Sequence, residues 1–259
     1  MPKNIAIVGA GPTGIQVARQ AALAGMEVIL YDINGTVLRR ALERLKSDIK
    51  DSAQAGSPAS PDAPLAFSRI HPRTRLADIQ GCEIVIECVI EDLKVKKDLF
   101  RHFEVNTKST TLLATTTSSL SVTAIASAIT RQERAVGLHF PAPPLRLAIV
   151  EVVRGDATSS ASIERAMAFV NSLGKTPIVC RDLPGFVMHR LLRVFHGEAW
   201  KLLGENVATA EQIDAIVRAA GIASGPFESL DQLGIDTDLE LAKVLYERSA
   251  YRARYKPHP

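Results

Sequence analysis

Asn4-Ile-Ala-Ile-Val-Gly9-Ala-Gly11-Pro-Thr-Gly14 decides how this chain folds. A short apolar run enters a glycine-rich turn. Residues 15–24 then carry a helical pattern that stops at Gly25, and residues 27–31 form a second apolar run closed by Asp32. Strand, turn, helix, strand is the setting in which a GxGxxG pattern acquires physical meaning. Gly9 permits the tight turn, Gly11 lets the backbone approach a pyrophosphate, and Gly14 lets helix pack on strand. The phosphates then meet the positive end of the helix. A carboxylate at Asp32 accepts bonds from a ribose diol and repels a 2′-phosphate. With Ile33 and Asn34 next, and Arg39 and Arg40 more than a helical turn further on, the pattern predicts NAD in preference to NADP.

Working outward, residues 35–50 read as an amphipathic helix with Lys46 and Lys50 a turn apart on its exposed part. Residues 51–64 are rich in Ala, Ser and Pro and read as an irregular loop, with a strand expected near 66–70. Further strands are expected at 84–90, 111–114 and 176–180, with helices at 93–107, 122–129 and 160–173. Asp182-Leu-Pro184-Gly185-Phe186 reads as a domain boundary. Beyond it the pattern is helical at 187–203, 210–220 and 238–249. The expected architecture is α/β: a Rossmann-like doubly wound sheet over residues 1–183, followed by an all-α domain over 184–259.

Two further apolar strands each carry one ionisable residue within the apolar run: Gly137-Leu-His139-Phe140, and Val150-Glu151-Val-Val, which Arg154-Gly155 closes. Pro141, Pro143 and Pro144 force the connection between them out of helix and ladder. His139 and Glu151 are therefore candidate neighbours. A carboxylate against an imidazole fixes its tautomer, stabilises its protonated form and produces a general base that works near neutral pH. A core histidine with an unrelated strand-end glutamate is the competing reading of the pair alone.

Composition narrows the remaining classes. A net charge of +3, with the basic residues dispersed, argues against nucleic acid. Apolar residues make up 46% of the chain and aromatics only 5%, the aliphatic balance that a sheet covered on both faces requires. No apolar run reaches the ~20 residues of a membrane span, and a strand starting at Asn4 leaves no room for a signal peptide. Cys82, Cys88 and Cys180 have neither metal-ligand nor CxxC spacing, so no metal is expected and the thiols read as reduced and buried. A cytoplasmic location is the corresponding expectation.

The chain resembles the L-3-hydroxyacyl-CoA dehydrogenases of the β-oxidation type, collinearly over nearly its whole length. The glycine turn, Glu87 to Phe100, Thr117-Ser-Ser-Leu120, the His139 and Glu151 segments, Leu173-Gly-Lys-Thr-Pro177, Pro184-Gly-Phe186 and Gly225-Pro-Phe-Glu-Ser-Leu-Asp231 carry the likeness. The resemblance implies an NAD-dependent interconversion of hydroxyacyl-CoA and ketoacyl-CoA, with His139 as catalytic base and Glu151 orienting it. It implies that Ser118 bonds substrate beside the nicotinamide and that Glu91 and Lys96 contact the cofactor. The helix of Lys46 and Lys50 corresponds to one that touches coenzyme A, and the helical domain to one that forms a homodimer, for which Phe186, Val187, Leu191, Leu192 and Val194 offer an apolar surface. Read from the residues alone, Glu91 and Lys96 are an exposed helix-start carboxylate and its lysine, and either Ser118 or Ser119 is a helix cap.

Three asparagines of the family pattern are replaced, by Thr116, Ala142 and His189. Ala142 offers no hydrogen-bonding group and Thr116 only a hydroxyl, whereas His189 can bond an acyl carbonyl or a further polar group on a different substrate. His189 therefore joins the candidate catalytic residues; a solvent-facing histidine is its other reading. The segment 51–64 is also shorter than the arm the family lays over coenzyme A. An acyl-carrier-linked or free hydroxy acid is thus an alternative substrate, and a non-catalytic NAD-binding homologue the alternative from another class.

Overall fold

The computed structural model describes residues 2–54, 63–141 and 148–258. Ala142, Pro143, Pro144 and residues 55–62 of the expected loop lie outside the described residues. The chain divides into two compact units, 1–182 and 183–259.

The first unit runs β1 (Asn4–Val8), α1 (Pro12–Leu23), β2 (Glu27–Tyr31), α2 (Gly35–Gln54), α3 (Ala63–Ala66), β3 (Ile70–Arg73), β4 (Ile84–Glu87) and α4 (Leu93–Asn106). It continues with β5 (Leu112–Thr115), α5 (Val122–Ala126), β6 (Ala135–His139), β7 (Ile149–Arg154), α6 (Ser160–Ser172) and β8 (Thr176–Arg181). The strands lie in the order β3-β2-β1-β4-β5-β6-β7-β8. Every pairing is parallel except β6 with β7. This is the doubly wound α/β sheet expected from the opening turn. Helices cover both faces, so Ile5, Ala6, Ile7 and Val8 of the central strand are all fully buried. The order reverses between β1 and β4, which opens a crevice outside the carboxyl ends of those strands.

Several boundaries differ from expectation for identifiable reasons. α2 continues to Gln54, because nothing in Asp51-Ser-Ala-Gln54 stops a helix already docked through Leu38, Ala41, Leu45 and Ile49. The third strand is Ile70–Arg73 rather than 66–70. It is an edge strand, where Pro72 is tolerated and an apolar run is not required. β4 stops at Glu87, three residues short of the apolar run.

The second unit contains α7 (Met188–Gly204), α8 (Ala210–Ala219), α9 (Pro226–Leu233) and α10 (Ile235–Arg248). Thr209 and Gln212 close a reciprocal capping box on α8. The buried Asp214 of α8 caps α9, accepting from the Phe227 and Glu228 amides at 2.9 and 3.1 Å. A Cβ at Gly225 would stand 2.3 Å from that carboxylate, so only glycine fits there. α9 is absent from the sequence reading, which also started α10 three residues late.

Candidate active site

Strands β1, β4, β5 and β6 are parallel neighbours, so the groups that follow or end them gather along one edge of the sheet. The glycine turn leaves β1 first. Gly9 has φ +111°, and a Cβ on it would lie 2.5 Å from the Cys88 carbonyl oxygen. A Cβ at Gly14 would lie 1.9 Å from the Gly9 carbonyl oxygen, whereas one at Gly11 meets nothing within 4 Å. Two glycines are thus dictated by packing and the third faces open space. Asp32 at the end of β2 holds the turn: its carboxylate accepts from the Ala10 amide at 2.9 Å and the Asn34 amide at 2.8 Å. The first turn of α1 has no acidic residue and no side-chain cap, which suits an anion at its amides.

Beyond β4 lies a set of charges that local pattern alone does not reveal. Glu87 is fully buried. It accepts from Lys96 Nζ at 2.6 Å, the Val89 amide at 2.7 Å and the Thr115 hydroxyl at 2.7 Å. Burial pushes its carboxyl up from the ordinary range, and these donors oppose that shift. Every one of them donates, the inventory an ionised carboxylate needs. Lys96 is 1% exposed, not a surface partner of a helix-start carboxylate. Its Nζ also lies 3.4 Å from Glu91 Oε2. Oε1 of Glu91 accepts from the Thr117 hydroxyl, the Ser118 and Ser119 amides and the Ser119 hydroxyl, all between 2.6 and 3.1 Å. Burial alone would raise the Glu91 carboxyl; Lys96 and these donors outweigh it and hold it below the usual range.

The two serines serve that carboxylate rather than the next helix. Neither Ser118 nor Ser119 caps α5; Ser121 does, accepting from the Ala124 amide at 3.1 Å. Asp182 reinforces this helix start, accepting from the Ser121 hydroxyl and the Val122 and Thr123 amides. Thr116, at one of the lost asparagine positions, turns its hydroxyl to the Cys88 thiol.

His139 ends β6 and stands opposite Glu151 in the antiparallel register with β7. Directly opposed residues project to the same face, and here Nδ1 meets Glu151 Oε2 at 2.5 Å with both side chains buried. A buried carboxylate only accepts, so Nδ1 donates and the neutral ring carries its lone pair on Nε2. Of the three cysteines expected to be buried, Cys82 and Cys88 are, but Cys180 on the edge strand β8 is only half-buried; partial burial and then the Glu151 and Asp182 charges push its thiol up to about 12.

Lys46 and Lys50 are exposed on α2. His189 is half-buried in the first turn of α7, within the second unit. Phe186 is buried, so the apolar surface proposed for it and its neighbours falls to Val187, Leu191 and Val194. Among the described residues no cluster of His, Cys, Asp and Glu could hold a metal ion, and no helix is long and apolar enough to cross a membrane.

Residues 4–183 match the family model described as 3-hydroxyacyl-CoA dehydrogenase, NAD binding domain, and residues 185–259 match its C-terminal domain. The chain belongs to the 3-hydroxyacyl-CoA dehydrogenase family. Among relatives in this dehydrogenase family, the 3-hydroxyadipyl-CoA dehydrogenase of Escherichia coli K12 is 36% identical over 98% of this chain. The chain spans only 54% of that protein's length. The 3-hydroxybutyryl-CoA dehydrogenase of Bradyrhizobium diazoefficiens is 34% identical over 99% of this chain and 88% of its own. Solved dehydrogenase structures agree. The 3-hydroxybutyryl-CoA dehydrogenase of Escherichia coli superposes with a TM-score of 0.94 at 35% identity, over 99% of this chain and 55% of that one. The (S)-3-hydroxybutyryl-CoA dehydrogenase of Ralstonia eutropha gives 0.92 at 31% identity, over 99% and 91%. NAD is the cofactor of the matched domain. The residues fit it: open space at Gly11, an uncapped helix start and Asp32 beside the turn are what a dinucleotide needs.

Proposed function

We propose that this protein interconverts L-3-hydroxyacyl-CoA and 3-ketoacyl-CoA with NAD, with His139 as general base. The observation that carries the reading is the buried 2.5 Å contact between His139 Nδ1 and Glu151 Oε2. In this reading Nε2 receives the 3-hydroxyl proton and Glu151 stabilises the resulting imidazolium. Bound NAD supplies the acceptor for the hydride that leaves C3. In the reverse direction protonated His139 returns the proton to the ketone oxygen. Ser118 bonds the reacting oxygen, and Glu91 shapes the turn that presents it. Gly9, Gly11, Gly14 and Asp32 hold the cofactor, with Glu91 at its edge and the buried Lys96 reaching it only through Glu91.

Lys46 and Lys50 supply cationic surface for the coenzyme A moiety. Relatives named for hydroxybutyryl and hydroxyadipyl groups support an acyl-CoA substrate of short or dicarboxylic chain. The exposed Val187, Leu191 and Val194 on or beside α7 support a homodimer through the helical unit. Three free thiols support a reducing compartment such as the cytoplasm. The deciding experiment follows NADH oxidation with acetoacetyl-CoA, with NADPH in parallel. Fast NADH-specific turnover supports the reading. NADH binding without turnover on a hydroxyacyl and ketoacyl panel, CoA-linked and carrier-linked, would overturn it.

A further inference from the structure

Glu87 takes no direct part in the chemistry above, yet it is the most enclosed charge at the sheet edge. A buried ion pair gives up so much solvation that it is a poor source of stability by itself. What it does achieve here is connection. Glu87 reaches the turn at residues 117–119 by two routes. Lys96 Nζ, 2.6 Å from Glu87 Oε1, stands 3.4 Å from Glu91, whose other oxygen gathers Thr117, Ser118 and Ser119. Independently, the Thr115 hydroxyl donates to Glu87 Oε2 at 2.7 Å and accepts from the Thr117 amide at 3.3 Å. We propose that Glu87 is a positioning residue for the cofactor crevice, acting through Lys96–Glu91 and through Thr115 to fix the turn that carries Ser118.

The inference rests on the role given to Ser118 in the proposed function. Without the Glu87 charge, the buried ammonium of Lys96 is left with the Val89 carbonyl and Glu91 Oε2, each at 3.4 Å, and its pull on Glu91 shifts the carboxylate whose other oxygen holds the turn. The test is Glu87→Gln in the full chain, measured for thermal midpoint, NADH affinity by fluorescence, and kcat and KM with acetoacetyl-CoA at a temperature where the variant is fully folded. NADH binding weakened about ten-fold, with kcat lowered at least as much and acyl-CoA KM little changed, is the expected result, because small misplacements near reacting atoms are costly. A lowered midpoint with NADH affinity and kcat both within about two-fold of the parent would overturn it, since a purely structural pair acts only on folding. Thr115→Val, nearly isosteric, cuts the second route and carries the question if the first variant fails to fold. A three-fold or greater loss of NADH affinity supports the inference, and unchanged affinity overturns it, a threshold of under 1 kcal/mol. NADH affinity is read without acyl substrate, so an inactive parent would sink the hydroxyacyl reading while leaving this test intact.

Discussion

His139 and Glu151 face each other across the antiparallel pair in an otherwise parallel sheet, at 2.5 Å and with both side chains buried. The reversal of β7 is what makes them opposite, and the register brings the carboxylate to Nδ1 rather than past it. Glu151→Gln keeps the shape and removes the charge. Turnover is expected to fall at least ten-fold, and in His139→Ala by about 10² or more, the range of general acid–base catalysis. NADH affinity should stay within about two-fold in both, because neither residue holds the cofactor in the proposed assignment. Steady-state kinetics beside fluorescence titration checks this, and near-normal turnover in His139→Ala would remove the mechanism.

Asp32 serves the glycine turn as well as a ribose. Its bond to the Ala10 amide means that Asp32→Ser both loosens the turn and removes a charged acceptor. NADH affinity should drop by about ten-fold or more, from the ~1.5–3 kcal/mol of a hydrogen bond to a charged group. The preference for NADH over NADPH should narrow as repulsion of the 2′-phosphate disappears. Titration with both nucleotides decides it; an unchanged ratio would contradict the assigned role.

The cysteines should be inert in the native protein. Burial first, then a neighbouring carboxylate, pushes Cys82 up to about 11, and Cys88 and Cys180 up to about 12. Thiolate is the reactive form, so at pH 8 an aromatic disulfide reagent should find no fast thiol and should count all three only after unfolding. A thiol that reacts within seconds in the folded state is the contrary result.

In the helical unit, Asp238 accepts from Arg193 at 2.9 Å and from His196 at 3.1 Å. Burial would raise its carboxyl, but His196 and Arg193 outweigh burial and hold it below the ordinary value of 3.8. A folded-state pKa that is depressed gives stability that is fully present above the unfolded value and is lost as pH falls through the folded one. Asp238→Asn should therefore cost about 3 kcal/mol at pH 7, the usual penalty for stripping one partner from a buried pair. The gap should shrink below about pH 4 as the parent's own carboxylate is protonated. Urea unfolding at both pH values checks the sign, and an equal gap at both would reject it.

Legibility tracked the range of the interactions. The opening turn was readable because glycine spacing and apolar runs are local, and the pairing of His139 with Glu151 because both lie on short strands of one hairpin-like reversal. Glu87 was passed over because its partners lie 9 residues on at Lys96 and 28 on at Thr115, on different elements. Ser118 and Ser119 read as caps, but α5 starts only at Val122, so Ser121 takes the cap and the two upstream serines donate to Glu91 instead. α9 went unread although Pro226 in its first turn and Glu228, which accepts from the Gly225 amide at 3.0 Å, are local start signals; its eight residues are short, and only the Asp214 cap comes from another helix.

The sequence by itself determined the fold class, the cofactor turn with Asp32, and the residues able to act as base and orienting acid. These follow from periodicity and from what glycine, proline, imidazole and carboxylate can do in any chain. Only the tertiary structure decided which charges meet: Lys96 with Glu87 and Glu91, Asp182 with the start of α5, and Asp238 with Arg193 and His196. A buried charge must find its partner wherever strand register and helix docking place one, and neither is written in the spacing of residues along the chain.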